Sequence, residues 1–422
     1  MSGIMFKTAI GLAVTLASTS IFASGFAINE QSISGMGTGF AGRSSAAEDG
    51  STVYGNPAGM SRLKHEQITG GVTVINARTD ISDANTFPNG GTNDGDMVPF
   101  IGIPMGYYVK PLNEQWTVGV GVYAPFGMAT DYENSFAGRY FGTTSEVEVV
   151  TFQPTVSYAI NERVSVGFGP TINRIVGTLE SDLSLTPAMP DGSVRIKGDD
   201  IALGFNIGVL AQLTDSTRIG LTYHSKVDYT LKGDTQVDYA LFAVPGLGKK
   251  QKFDASLDLT TPESVDLSVT HNINDQWTLY AGTTWTRWSR LKDITVENSG
   301  VPGALAGQFG QITEEQNWHD TWAYAVGASY QLNKQWVLRA GLSLDQSPVN
   351  NIDRSPRIPS GDRTIFSFGA GWTLTDDLTI DVAYAYLQEE AVSVNNSRHG
   401  QHYSAQYENW AHALGVGATY RF

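Results

Sequence analysis

The chain has 422 residues, 46 of them glycine, no cysteine and a formal charge of −15. Its charged fraction of 16% lies well below the roughly 25% of an average soluble domain. An acidic balance without a basic stripe argues against a nucleic-acid partner, and the absence of Cys excludes disulfide frameworks and thiolate metal sites.

In chain order, residues 1–23 are expected to be a secretory signal peptide. Lys7 supplies the positive start, and the apolar run "TAIGLAVTLAS" ends near the small residue Ala23. That run is shorter than the ~18 residues of a spanning helix. No later stretch looks like a spanning helix, so a membrane protein built from this sequence must be a β-barrel. Residues 24–65 then interrupt an otherwise strand-like chain. They hold "GMGTGFAGRSSAAEDG" and "GSTVYGNPAGMSRL", with no alternation of apolar and polar residues. Asn56 before Pro57 is expected to cap a turn or helix whose first position is Pro57.

From about residue 66 the pattern has period two. Short polar turns recur as "LNEQWTV", "INERVSV", "LTDSTRI", "INDQWTL", "LNKQWVL" and "LTDDLTI". They read as hairpins. Ile101, Ile103, Met105, Tyr107 and Val109 share one face; Trp116, Val118, Val120 and Val122 share another. Ile201 to Val209 and Trp336 to Leu344 alternate likewise. Connections at the other end are long: 81–98, 127–143, 180–194, 234–252, 298–316, 346–362 and 392–405. Runs long enough to cross a bilayer, short turns on one side and long loops on the other indicate an outer-membrane barrel. Aromatics near strand ends (Tyr107, Tyr108, Trp116, Trp277, Trp336, Tyr420) fit interfacial girdles. Six turns join twelve strands; one near 66–80 and one near 406–422 bring the total to fourteen. The apolar face should point to lipid. Such a barrel leaves a lumen wider than side chains fill, and residues 24–65 are expected to plug it. "GVGATYRF" places Phe422 on the lipid-facing phase.

Charges on the second face should point inward, since Arg or Lys at the bilayer midplane costs roughly 2–4 kcal/mol. They include Arg218, His224, Lys226, Arg339, Asp345, Arg363 and Asp381. One reading is a network holding plug against wall; the other is a cationic site for a substrate carboxylate, with Arg218, Arg339 and Arg363 as its candidates. In "VYAPFGMATDYENSFAGRYFG" Pro125 cannot donate to a ladder and Gly127 adds freedom. Either the third strand simply ends there, or an inward kink breaks its pairing and opens the wall. Catalytic motifs such as GxSxG and HExxH do not occur, and "HGQH" (His399 to His402) reads as solvated loop.

The ordered set "SGFAINEQS", "EDGSTVYGNPAGM", "YAPFGMATDYENSFAGRY", "INDQWTLYAGTTWTRWS", "SGDRTIFSFGAGW" and "NWAHALGVGATYRF" resembles the FadL family of outer-membrane long-chain fatty-acid transporters. That family includes relatives carrying toluene-like hydrocarbons. The resemblance implies a fourteen-stranded barrel with an N-terminal hatch (residues 24–65) inside a wall of residues 66–422, and a lateral exit at the third strand. Asn56, Pro57 and Ala58 match the hatch motif, Gly25 and Phe26 the ligand-touching start, and Phe126 and Gly127 the kink. The expectation is passive outer-membrane transport of long-chain fatty acids in a Gram-negative bacterium. Capture would fall to loop residues Leu241, Phe242, Val244 and Leu247 and binding to a site against Phe26 and Ile28; a hatch movement near Asn56–Pro57, with Asn56, Pro57 and Ala58 as gating residues, would then release the ligand through the kink at Pro125. The alternatives are a hydrocarbon transporter and a barrel lipid hydrolase; for the latter His412 has no paired serine in the sequence. No enzymatic activity and no cofactor or metal is expected. Surrounding partners would be outer-membrane lipid and lipopolysaccharide, with Phe422 read by the barrel assembly machinery and the chain acting as a monomer.

Overall fold

A computed structural model describes residues 25–87, 90–184, 190–239 and 250–422. The proposed signal peptide lies outside these residues, as do Leu241, Phe242, Val244 and Leu247.

The wall is a closed antiparallel barrel of fourteen strands. They are β1 (Gln67–Phe87), β2 (Ile101–Pro111), β3 (Trp116–Asp131), β4 (Thr144–Ala159), β5 (Val164–Leu183) and β6 (Gly192–Gln212). Five of the remaining eight are broken in two. These are β7 (Thr217–His224, Val227–Asp238), β8 (Lys250–Thr261, Ser264–Asn272), β9 (Trp277–Thr286, Asp293–Ser299) and β10 (Gln311–Glu315, Thr321–Gln331). The unbroken β11 (Trp336–Asp345) and β12 (Arg363–Thr373) follow, then the broken β13 (Leu378–Glu389, Val392–Arg398) and finally β14 (Gln401–Arg421). Closure comes from β1 against β14, with Gln67 opposite Arg421 and Phe87 opposite His402. A closed ladder leaves no edge, which is what lipid requires of a spanning sheet.

The six short turns fall where the polar tetrads predict. In four of them an Asn side chain accepts from the amides two and three residues on, as Asn113 does from Gln115 and Trp116 at 2.9 Å. That Asx geometry fixes a tight hairpin locally. The other ends differ from expectation. Several walls run on: β1 reaches Phe87, and 392–405 is a hairpin whose arms belong to β13 and β14, not a loop. At 21 residues β6 is about 70 Å long at ~3.3 Å per residue, more than twice what a bilayer needs, so the barrel stands well above the membrane.

The outward face is apolar as alternation predicts. Leu203, Phe205, Ile207, Val209, Leu338, Leu342, Val416 and Phe422 are exposed. Beside the short turns, cross-strand ring pairs form a girdle: Trp116–Tyr158 at 4.7 Å, Trp277–Tyr330 at 4.8 Å and Trp336–Trp372 at 5.5 Å. Strand β2 is the exception. Ile103, Met105, Tyr107 and Val109 are buried inside, so Tyr107 is not a girdle residue. Its hydroxyl donates to the Gln31 carbonyl at 2.9 Å. Alternation fixes two faces but not which faces lipid; here the inner partner is itself apolar. Lys226 also departs from expectation. The break after His224 reverses the phase of β7, so Val227 and Tyr229 turn inward and Lys226 outward, paired with Asp228 at 2.6 Å.

Residues 25–65 lie inside the wall. They form helix α1 (Ile33–Gly37), helix α2 (Thr52–Gly55) and a 3-10 turn, Pro57–Arg62. Such short pieces cannot satisfy their own backbone, and wall side chains do it instead. Thr222 donates to the Gly55 carbonyl, Gln153 to that of Val53 (both 2.8 Å) and Ser343 to that of Gly39 (2.6 Å).

Candidate functional site

Where β2 meets β3 the wall is incomplete. Their pairing runs from Pro111–Thr117 to Gly106–Val122 and stops. On its other side β3 keeps β4, but the register slips by one residue between Tyr123 and Phe126. That is a bulge at Ala124–Pro125, which re-aims the strand. Pro125 has no N–H to give, yet its carbonyl is used: Ile28 N–H donates to it at 2.9 Å, and Gly127 N–H donates to the Phe26 carbonyl at 2.8 Å. Ala27 stands opposite Phe126 as an antiparallel bridge. Gln31 adds a side-chain bond to the Ala124 carbonyl at 2.6 Å. The N-terminal residues thus take the place beside β3 that β2 gives up. Gly25, Phe26, Ile28, Pro125, Phe126 and Gly127 all meet here.

Around Phe26 the walls supply aromatic rings. Its ring lies 4.9 Å from Trp288, 5.7 Å from Phe126 and 6.0 Å from Trp318, edge-on or tilted, the arrangements aromatic pairs prefer. Trp288 reaches inside because β9 breaks into a 3-10 turn, Trp288–Arg290; nothing in period-two reasoning pointed to it. Gly25 has φ +64°, and a Cβ there would stand 2.8 Å from the Trp288 ring. Only glycine fits both that backbone and that gap.

Asn56, Pro57 and Ala58 sit elsewhere, low in the barrel against β4 to β6. Asn56 is fully buried and caps the 3-10 turn: its Oδ1 accepts from Ala58 N–H at 3.0 Å, with Pro57 at the first position. Its Nδ2 donates to the Ser44 and Val209 carbonyls at 2.7 and 3.0 Å. The Ala58 carbonyl accepts from Ser157 at 3.1 Å and Ser165 at 2.9 Å. Wall glycines permit this approach, for a Cβ on Gly208 would collide with the Asn56 carboxamide.

All three arginines expected inside do point inward, and each has partners within the protein. Arg339 pairs with Asp381 at 2.6 Å and Glu48 at 3.1 Å. Arg363 pairs with Asp345 at 2.9 Å, both nearly solvent-free. Arg218 donates to the Ser45 and Ala46 carbonyls. Two of the three therefore tie the inner segment to the wall. A cation the alternation could not reveal is Arg43, on the inner segment itself. It donates to Asn29 Oδ1 at 2.6 Å.

Above the aromatic cluster the lumen is apolar. A cavity lined by Val147, Ile175, Leu231, Leu257 and Leu259 shares Leu179, Ile196, Ile294 and Val296 with a groove nearer the loops that also holds Phe309 and Ile312. At that level Arg139 binds Asp191 at 2.9 Å and Asp182 at 3.5 Å. Burial, then the neighbouring Asp191, push the Asp182 carboxyl up to about 6 against the pull of Arg139.

The sequence profile described as "Outer membrane protein transport protein (OMPP1/FadL/TodX)" matches residues 14–422. A "Long-chain fatty acid transport protein" of Escherichia coli O6:H1 is 27% identical over 449 residues, spanning 99% of this chain and 98% of its own. The crystal structure of a Pseudomonas aeruginosa FadL homologue superposes with a TM-score of 0.85 at 27% identity, covering 94% of this chain and 99% of that one. The Ralstonia pickettii toluene transporter TbuX shares the fold, with a TM-score of 0.67 at 19% identity over 92% of this chain and 97% of its own.

Proposed function

The chain belongs to the outer membrane protein transport family (OMPP1/FadL/TodX), and from that premise we propose that it carries long-chain fatty acids passively through the outer membrane, releasing them sideways at β3. The observation that carries this reading is one continuous cluster of apolar side chains. Ile175, Leu231 and Leu259, which line the cavity below the loop groove, pack in the same cluster as Phe26 and Trp288, and Phe26 lies where the β2–β3 pairing is missing. Capture needs no directional bonds: burial contributes ~25 cal/mol per Å² of apolar area. Leu241, Phe242, Val244 and Leu247 are proposed as a first landing surface for the ligand. The ligand then rests against Gly25, Phe26 and Ile28.

Movement is required. The cavity at the kink holds about 80 Å³, on the order of six waters at ~10–15 Å³ each, too little for a long acyl chain. We assign the movement to the N-terminal residues leaving β3 at Pro125, Phe126 and Gly127, with Asn56, Pro57 and Ala58 as the fixed foot on which the hatch turns. Arg218 and Arg339 stabilise that hatch through the partners they already hold on it, and Arg363 braces the wall through Asp345. Phe422, outward on β14, is proposed as the contact for the assembly machinery; one chain with its own lumen works as a monomer among outer-membrane lipid and lipopolysaccharide.

The test is growth on oleate of a Gram-negative host lacking its own fatty-acid transporter. Expression of this chain should restore it. Failure on oleate with gain of toluene uptake would establish the hydrocarbon reading instead.

A further inference from the structure

Arg43 differs from the other inward arginines. A guanidinium has five N–H donors. Among the described residues, its only hydrogen bond is to Asn29 Oδ1, 2.6 Å from Nη2. The group also lies over the Phe40 ring at 5.4 Å. Among the described residues no carboxylate stands within ion-pair distance of it, whereas Arg339 has two such partners and Arg363 has Asp345. Glu30, buried in the same segment, interacts with Arg43 electrostatically but makes no ion pair with it. Arg43 is half-buried, and its open N–H edge suits a carboxylate, which it can grip with two parallel bonds.

What it faces is the cavity at the kink. Arg43, Tyr54 and His224 line that cavity together with Ala27, Phe126 and Val227. His224 Nε2 is buried without a partner, and its ring stands 5.0 Å from that of Tyr54. One small chamber therefore offers a cation and an unused imidazole nitrogen at one part of its lining, and an apolar lining continuous with the Phe26 cluster at another. A hydrocarbon has no use for the first; a fatty acid has use for both.

We infer that Arg43 is the head-group anchor of the transported amphiphile: it binds the carboxylate, His224 completes the polar end, and the acyl chain lies along Ala27, Phe126 and Phe26. This rests on the transport reading above and sharpens it to anionic amphiphiles. Selectivity then resides in the hatch, not in the charged residues of the wall.

The test compares oleate with oleyl alcohol, equal in chain and lacking the charge, by tryptophan quenching of the purified full-length protein. Arg43→Gln should weaken oleate at least about tenfold and leave oleyl alcohol within about twofold. Arg43→Lys should recover part of the oleate affinity. Unchanged oleate affinity in Arg43→Gln overturns the assignment. So does equal loss of both ligands, which would make Arg43 a mere support of the inner segment. Wild-type protein that binds neither ligand defeats the transport reading itself, a result distinct from either of these.

Discussion

Gly25 shows how much one residue without a Cβ decides. Its φ of +64° costs any other residue ~1–2 kcal/mol, and the Trp288 and Trp318 rings leave a side chain no room. Gly25→Val should reduce oleate uptake about tenfold or more while the barrel still migrates as a folded, heat-modifiable band; full uptake would remove Gly25 from the site. Asn56 acts through polar groups instead. Asn56→Ala strips a partner from the buried Ser44 carbonyl and from that of Val209, at ~1–3 kcal/mol for a buried group left unsatisfied. The hatch should loosen, and planar bilayers should record leak currents that the wild type lacks, with assembly unchanged. A wild-type trace would contradict the foot assigned to Asn56. The Asn-Pro cap was legible in the sequence because capping is local chemistry. Arg43 was not, because parity assigns faces only within strands and the inner segment has none. Trp288 was hidden for a related reason: a break in β9 turns it inward.

Elements carry the second lesson. The hairpin turns were legible because each is specified by four neighbouring residues. The direction of β2 was not, since its two faces differ by partner rather than by polarity: Ile103, Met105 and Tyr107 meet the inner segment instead of lipid. Lys226 reversed for want of a signal at Ser225, whose hydroxyl accepts from Phe205 N–H at 2.8 Å and bridges the break. Above the membrane, the Arg139 clasp should respond to pH. The folded Asp182 carboxyl, at about 6, holds its proton more tightly than the ordinary value of 3.8. Its contribution to loop stability is therefore fully present below about pH 4 and is lost as pH rises through 6. The Asp182 amide donates to the Arg139 carbonyl at 2.9 Å. Its protection from hydrogen exchange, corrected for intrinsic rate, should be greater at pH 5 than at pH 7.5, and Asp182→Asn should flatten the difference. Equal pH dependence in the variant would clear Asp182 of the effect.

At the scale of the whole molecule, the barrel, its strand number and the inner position of residues 25–65 follow from period, turn spacing and one stretch that fits no strand. The route through the barrel does not follow from them. It depends on the β2–β3 ladder stopping at Val122 and the N-terminus filling the gap, a long-range pairing that no local signal encodes. That pairing also gives the most direct test. Ala27 and Phe126 face each other across a single antiparallel bridge, at the ~4.5–5.5 Å Cα spacing such pairs have, within the reach of a disulfide. The chain has no cysteine of its own. In the Ala27→Cys, Phe126→Cys double variant, oleate uptake by whole cells should stop when the pair is oxidised and return on reduction. Uptake at the same rate in both states would show that the N-terminus never leaves β3, and that the ligand takes another way out.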